Sequence, residues 1–225
     1  MIRRILILSA FFFSSLAQAE LVFDSKLLEV TSDPGAETIT AEFTFEVKGE
    51  ETKILGYESM CSCLAARVEP TNEDGSAKLS WQPGEKGRIL AKFELGNFKG
   101  TVDKAIVLKT DRAEKAHELV LRVTIPALLN ISPATHKWTI GETTEERTFE
   151  IKVVGDQPVQ ILELAGTNPK FPLQLETVKE GFHYRVRVKP TSTDAAAFGM
   201  VRLKTDSKIP KYQNEQMFVV VKKAK

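Results

Sequence analysis

A strict alternation of apolar and polar side chains is the feature that most narrows the fold of this chain. From residue 39 to residue 47, the apolar residues Ile39, Ala41, Phe43, Phe45 and Val47 alternate with Thr and Glu. A period of two is typical of a β-strand that has one face in a core and the other in water. The same alternation recurs at residues 89–95, 119–125, 149–153 and 182–188. The sequence therefore predicts an all-β protein.

Turn-forming residues separate the alternating segments of the first half. Examples are Pro83-Gly84 and Gly96-Asn97, in which Pro fixes φ and Gly permits a positive φ. Between residues 21 and 125 the pattern predicts about seven strands with turns roughly every eight to twelve residues. This spacing is characteristic of an immunoglobulin-like β-sandwich.

The second half predicts another domain of the same kind. Phe45-Glu46-Val47 reappears as Phe149-Glu150-Ile151, and Leu108-Lys109-Thr110-Asp111 reappears as Leu203-Lys204-Thr205-Asp206. We therefore expect a degenerate tandem repeat with almost no linker, with domains at residues 20–126 and 127–225. In this alignment, residues 165–168 of the second copy stand where the first copy has Met60–Cys63.

Residues 1–19 follow the plan of a secretory signal peptide. A basic start, Met1–Arg4, precedes an apolar run, Ile5–Leu16, and then Ala17-Gln18-Ala19 before Glu20. The apolar run is too short to span a membrane as a helix, and no second long apolar run follows. We expect cleavage after Ala19 and a periplasmic or secreted mature protein without a transmembrane segment.

The charge balance argues against a nucleic-acid partner. The chain has 31 basic and 30 acidic residues, and two of the arginines lie in the predicted signal peptide. The remainder is close to neutral, whereas nucleic-acid-binding proteins carry a basic stripe or face. We expect another exported or cell-envelope protein as partner.

The two cysteines, Cys61 and Cys63, form the one cluster of reactive side chains. Side chains two positions apart lie on the same side of an extended chain, so their sulfurs can meet. In a fully extended strand their Cα atoms would lie about 6.6 Å apart, at the upper edge of the disulfide range, unless Ser62 lies in a turn. Three states are open: a local disulfide, a redox or Cu(I) site that also uses Met60, and free or interchain thiols.

The sequence contains no catalytic constellation and no cofactor motif. Neither Gly-x-Ser-x-Gly nor His-Glu-x-x-His nor a phosphate-binding glycine loop occurs. His117, His136 and His183 lie far from the cysteines in sequence and form no metal-ligand spacing with them. Arg185 and Arg187 share one face of a predicted strand, where we expect solvent. The chain is therefore predicted not to be an enzyme and to need no cofactor.

Two further pairs of residues are interpreted as structural. Trp81 and Trp138 are predicted to anchor sandwich cores, because large aromatic side chains are mostly buried. Asp111 and Asp206 follow predicted strands, and we expect them to cap the turns there.

Several separated motifs resemble the bacterial domain-of-unknown-function family 1573. They are the Phe-x-Phe-x-Val strand at residues 43–47, Ser59–Cys63, Pro83–Gly87, and Lys109-Thr110-Asp111. The family usually has Gly and Thr where this chain has Ser62 and Leu64. The resemblance covers roughly residues 21–125, and it implies an exported immunoglobulin-like domain with a Cys-x-Cys motif, but it implies no established activity. The second domain resembles a divergent copy without cysteines.

Two functions are in competition at this point. The first is an exported, non-enzymatic protein-interaction or envelope scaffold module, which presents strand edges and loops to a partner. The alternative is thiol redox chemistry or soft-metal binding through Cys61 and Cys63, with Met60 as a further copper ligand.

Overall fold

The structure, a computed structural model, describes residues 20–224. It is all-β, with 59% of the described residues in strands, and its one described helix is the short 3-10 turn Pro210–Tyr212. The predicted fold class is confirmed at this level. The predicted signal peptide, residues 1–19, lies outside the described residues.

Two sheets are built from the first half of the chain. Their orders are β1-β3-β7-β5 and β2-β9-β8-β4-β6. The strands are β1 Glu20–Phe23, β2 Leu27–Thr31, β3 Thr38–Lys48, β4 Thr52–Ser59, β5 Leu64–Glu69, β6 Ser80–Trp81, β7 Lys86–Glu94, β8 Gly100–Thr110 and β9 His117–Ile125.

The second half contributes two sheets of four strands each. Their orders are β10-β12-β15-β14 and β11-β17-β16-β13. The strands are β10 Leu129–Ser132, β11 Thr135–Thr139, β12 Arg147–Val153, β13 Ile161–Gly166, β14 Leu173–Lys179, β15 His183–Val188, β16 Ala197–Thr205 and β17 Asn214–Lys222. Strand β11 pairs in parallel with β17. Apart from the short β6, the strand orders of the two halves correspond one to one.

The core of the first half lies between its two sheets, as alternation predicts. Phe45 on β3 and Trp81 on β6 belong to different sheets, and their ring centroids lie 4.9 Å apart. Phe23 on β1 meets His117 on β9 at 5.5 Å. Gly87 permits this packing, because a Cβ there would come within 2.5 Å of the Trp81 ring.

A second core joins the other two sheets. Trp138 on β11 and Phe149 on β12 are buried in one apolar cluster with Tyr184 on β15 and Val219 on β17. The burial of Trp81 and Trp138, both 1% exposed, confirms their prediction as core anchors. Each indole N–H donates to a main-chain carbonyl, that of Lys78 and that of Glu145 respectively. The burial of both large rings therefore leaves no indole donor unsatisfied.

The chain divides into two compact units. One consists of residues 20–29, Ile39–Glu94 and Asp103–Arg122, and the other of Val30–Thr38, Leu95–Val102 and residues 123–224. The predicted domain limits, 20–126 and 127–225, remain a prediction.

The strands with clear alternation lie where the sequence places them. The predicted strand at residues 38–47 is β3, and the alternating segments at 89–95 and 119–125 fall mostly within β7 and β9. Strands β10, β11 and β14 had no counterpart among the predicted strands.

Candidate functional site

The Cys-x-Cys turn connects two strands that belong to different sheets. It begins after Ser59, the end of β4, and ends at Leu64, the start of β5. The sulfur atoms of Cys61 and Cys63 lie at disulfide distance, 2.17 Å, and their Cα atoms are 5.3 Å apart. The Cα separation is shorter than in an extended strand, because the chain turns at Ser62.

Main-chain hydrogen bonds hold this turn in place. The N–H of Leu64 donates to the carbonyl of Cys61, which closes a four-residue turn. The N–H of Met60 donates to Ala105 on β8, and the N–H of Glu94 on β7 donates to Cys63. The side chain of Leu64 is buried and anchors the turn in the core. No described residue other than glycine has a positive φ, so Ser62 forms the turn without requiring glycine.

The thiol pair is partly open to solvent. Cys61 and Cys63 are half-buried, and the side chain of Met60 between the strand and the turn is 71% exposed. In this geometry the sulfur atoms of Cys61 and Cys63 face each other directly. Within residues 20–224 no group of three or more His, Cys, Asp or Glu side chains is placed to hold a metal ion.

One edge of β4 is open beside this turn. Strand β6 pairs with β4 at Thr52 and Lys53, and the N–H of Ile54 donates to the carbonyl of Leu79 just before β6. On the other side β8 pairs with β4 as far as Ser59. Because the N–H of Met60 faces β8, strand alternation directs the main-chain N–H and C=O groups of Tyr57 and Ser59 away from β8. Over the described residues, no strand pairs with this side of β4 from Leu55 to Ser59.

Exposed apolar side chains lie at both ends of the open edge. Leu55 sits in a β-bulge, where the pairing of β4 with β8 shifts between Ile54 and Gly56, and it is 66% exposed. Met60 lies at the other end. A shallow groove between these ends is lined by β4 and by Val107 and Lys109 on β8.

The second half contains the same turn without cysteines. The N–H of Thr167 donates to Met200, and the N–H of Phe171 donates to the carbonyl of Asn168, as Met60 and Leu64 do in the first half. In place of the disulfide, the Asn168 side chain accepts from the N–H of Lys170 and donates to the carbonyl of Phe198.

The structural equivalence corrects the alignment predicted from sequence by two residues. Thr167 and Asn168, rather than residues 165 and 166, correspond to Met60 and Cys61. The Asn168-Pro169 dipeptide was the local signal for this turn, because Asn before Pro favours turn initiation.

Asp111 and Asp206 each form hydrogen bonds with the neighbouring chain segment of their sheet, which differs from the predicted turn capping. The Asp111 carboxylate accepts from the N–H of Lys53 on β4, while its own N–H donates to the Lys53 carbonyl. Asp206 makes the same reciprocal pair with Gln160. The turn after β8 is instead capped by the Thr110 hydroxyl, which accepts from the N–H of Ala113.

Arg185 and Arg187 lie on the outer sheet face, within a network of ion pairs. Arg185 pairs with Glu150 at 2.8 Å, and Arg187 pairs with Glu176. A hydrogen bond with His183, and then the one from Arg185, lower the pKa of the Glu150 carboxyl below its ordinary value. Since all these groups are partly solvated, the ion pairs contribute little to stability.

Each half also carries one histidine whose Nε2 atom is buried: His117, which is buried as a whole, and His136, which is half-buried. The Nε2 atoms of His117 and His136 have no hydrogen-bond partner among the described residues. Burial lowers the pKa of His117, and the charge of Lys26 lowers it further. Burial also lowers the pKa of His136, although a hydrogen bond with the main chain of Thr148 partly opposes this. Both side chains pack against aromatic rings, so they fill the core as neutral groups.

The fold and the site define an all-β sandwich protein with a Cys-x-Cys turn at one sheet-to-sheet connection. Residues 21–125 match the model of the family described as "Protein of unknown function (DUF1573)". This match supports the resemblance noted in the sequence over the same segment. No curated protein matches the chain.

Several solved structures are similar over most of the chain. A protein of unknown function from Porphyromonas gingivalis W83 is 11% identical, and the match covers 89% of this chain and 98% of that one with a TM-score of 0.35. Domains 5-6 of the S-layer protein SbsC are 12% identical, with 93% and 100% covered and a TM-score of 0.32. The I9-I11 tandem from titin is 14% identical, with 91% and 66% covered and a TM-score of 0.28.

Proposed function

We propose that the chain is an exported, non-enzymatic binding module made of two tandem immunoglobulin-like domains. The strand orders of both halves support this proposal. One sheet of each half follows the ABED order of an immunoglobulin domain, and the other contains the GFC order with an added edge strand, β2 or β11, beside the strand that corresponds to G. The matched turns and the matched Asp111 and Asp206 pairs favour a divergent repeat. The predicted signal peptide and the half-exposed cysteine pair favour the periplasm or the cell exterior.

The observation that carries the proposed function is the open edge of β4 beside the Cys-x-Cys turn. Unpaired main-chain groups on a strand edge are a template for an added strand. Here the template is short, because only Tyr57 and Ser59 present their main-chain groups to solvent. Selectivity therefore comes from the flanking Leu55 and Met60, which would contact apolar side chains of the partner.

The partner class that fits this edge is an extended segment of another exported or envelope protein. Main-chain pairing needs no particular partner sequence, whereas two exposed apolar side chains at the ends of the edge favour apolar residues at matching positions. The Cys61–Cys63 link fixes one end of the edge by closing the turn that follows it.

A site-directed crosslinking experiment tests this proposal. A photoreactive amino acid is placed at position 55 and, as a matched control, at position 162. Leu162 lies in the corresponding bulge of β13 and is 60% exposed, but no cysteine turn follows it. We expect a crosslink to a defined envelope protein from position 55, lost with Met60→Lys, and no such crosslink from position 162.

Equal crosslinking from both positions, or a product that Met60→Lys leaves unchanged, would contradict a binding edge on β4. A circular dichroism spectrum of each variant shows whether the fold is retained. Both leucines and Met60 are exposed, so we expect no loss of structure.

A thiol function is a second candidate, favoured by the half-exposed Cys61–Cys63 pair. Its test is the intact mass and metal content of protein purified without reductant, before and after alkylation. A mass lower by two hydrogens and no alkylation indicate the disulfide and support the binding module. Alkylated thiols, or copper that is lost in the Cys61→Ser, Cys63→Ser variant, would make the turn the chemically active site.

A further inference from the structure

The outer face of β16 and β17 carries an apolar patch in the middle of a sheet. Its four members are Phe198 and Met200 on β16 and Phe218 and Val220 on β17. Phe198 lies opposite Val220, and Met200 lies opposite Phe218, in the register of the two strands. The rings of Phe198 and Phe218 stack with their centroids 5.9 Å apart.

This patch faces solvent although its side chains are large. Phe198 is 58% exposed, and the other three are half-buried. The neighbouring positions on the same strands, such as Val201 and Val219, point inward and are buried. The four outward side chains are therefore not part of the core. Contiguous exposed apolar patches mark interaction sites more often than isolated exposed apolar residues do.

The corresponding face of the first half is charged. Strands β8 and β9 take the places of β16 and β17, and there Asp103 and Arg122 form a bidentate ion pair across the strands. Glu29 on β2 also pairs with Arg122. One scaffold thus has a solvated outer face in one half and an apolar one in the other, so the apolar patch is not a requirement of the fold.

The charges around the patch are mainly positive, although Glu163 on the edge strand β13 lies opposite Lys204 in the strand register. The charged side chains on the outward positions of β11, β16 and β17 are Lys137, Arg202, Lys204 and Lys222. None of these four cations forms an ion pair within the described residues. Lys137 lies beside Val220 in the strand register, and Arg202 follows Met200 on the same face of β16.

We propose that this face, the β16–β17 patch, binds an acidic polypeptide segment that carries apolar side chains. The four apolar residues form the dry centre of the interface, and the unpaired cations at its rim select carboxylates. This site is separate from the open edge of β4 and does not depend on the function proposed for that edge.

Charge and shape argue against two other occupants. A second copy of this chain placed face to face would bring the cations of both copies together, which is unfavourable. A lipid surface is bound best by apolar side chains that protrude and insert. Here they stand within a flat sheet face, which fits a complementary protein surface.

Methionine-methyl NMR gives a test that separates this site from the β4 edge. Three methionines lie in the described chain: Met200 in the patch, Met60 at the Cys-x-Cys turn, and Met217 in the core. The probe is a synthetic ten-residue peptide of alternating Glu and Leu, with an alternating Lys and Leu peptide as its control. We expect the acidic peptide, but not the basic one, to shift the Met200 signal, to leave Met217 unchanged, and to bind at Met200 more weakly as salt is raised. Any shift of Met60 reports the β4 edge and should be similar for the two peptides.

A matched variant copies the face of the first half onto the second. Phe198→Asp with Val220→Arg reproduces the Asp103–Arg122 pair at equivalent positions, so we expect an unchanged thermal midpoint. Its affinity for the acidic peptide should fall by at least about tenfold, since it removes half of the apolar centre.

Three results would overturn the proposal. The first is equal binding of the acidic and basic peptides, or of the double variant and the parent. The second is a Met200 shift with phosphatidylglycerol vesicles but not with the acidic peptide, which assigns the patch to a membrane. The third is a Met200 shift that grows with protein concentration in the absence of any probe, which assigns it to self-association.

Discussion

The two halves of the molecule close the same turn with different chemical links. Between β4 and β5 a covalent link joins Cys61 to Cys63, whereas between β13 and β14 the Asn168 side chain accepts from the N–H of Lys170. Both links join residues two positions apart, and both turns end on a buried residue, Leu64 or Phe171. The scaffold therefore does not require cysteine at this place, and the thiol pair is a feature particular to the first half.

The outer sheet faces also differ between the two halves, and here the second half has the less common feature. The first half has the Asp103–Arg122 ion pair where the second has Phe198 and Val220. The first half therefore combines the cysteine turn with a charged outer face, and the second half combines the hydrogen-bonded turn with an apolar outer face. This division is consistent with the two different binding surfaces that we propose for the two halves.

The buried residues that end the two turns should give the largest effects. Leu64→Ala and Phe171→Ala each remove a fully buried side chain, and we expect a loss of about 2–5 kcal/mol in the free energy of unfolding, larger for Phe171. Urea denaturation followed by tryptophan fluorescence measures this. A loss below about 1 kcal/mol for either variant would show that the turn is not anchored in the core.

The two turn links should contribute similar amounts. The Cys61→Ser, Cys63→Ser variant should lose about 1.5 kcal/mol, because the closed loop is very short. Asn168→Ala should lose about 1–3 kcal/mol, because two hydrogen bonds disappear. Denaturation with and without a reductant tests the comparison. Reductant should destabilise the parent and the Asn168→Ala variant alike but leave the cysteine variant unchanged, and an effect on all three would contradict the assignment.

Acidification should destabilise both halves through His117 and His136. The pKa values of His117 and His136 are lowered in the folded state, so the unfolded chain binds protons first as the pH falls below the ordinary histidine value of about 6.5. The two histidines therefore do not lower the free energy of unfolding above that pH, and they lower it increasingly as the pH falls from about 6.5. Urea midpoints at pH 7.5, 6.5 and 5.5 measure this. His117→Leu with His136→Leu should flatten the profile, and an unchanged slope would contradict it.

Exchanging the outer faces should have the smallest effect on stability. Asp103→Phe with Arg122→Val places an apolar pair on the first half, where an exposed ion pair contributes little. We expect an unchanged thermal midpoint and no binding of the acidic peptide, because Glu29 and Glu118 lie on this side of the molecule. Binding equal to that of the β16–β17 patch would show that the cations of the second half are not needed.

Much of the fold could be predicted from the sequence, because half-buried strands record their burial in a period of two. The alternation at residues 39–47 predicts β3 almost to its limits. Strands β10 and β14 were not predicted. They lie at sheet edges and contain few buried residues, so the alternation of apolar and polar side chains in them is weak. The motif at Ser59–Cys63 identified the turn but not its surroundings.

The two proposed binding surfaces could not be predicted from the sequence, because they depend on which strands become neighbours. The open edge of β4 exists because β6 ends its pairing at Lys53, and no local pattern encodes this. The β16–β17 patch could not be predicted for another reason. Phe198 and Met200 alternate with Gly199, Val201 and Leu203, so apolar residues occupy both faces and the period-two signal is lost.

The parallel pairing of β11 with β17 has a mechanical consequence. These strands come near the beginning and the end of the second half, and their register joins Thr135–Thr139 to Phe218–Lys222. A force that pulls residue 135 and residue 222 apart along the strands loads the hydrogen bonds of this ladder in shear, so that they share the load. A hairpin pulled from its open end would instead release its bonds one after another. Tension along the chain therefore meets resistance at the strand pair that closes this half.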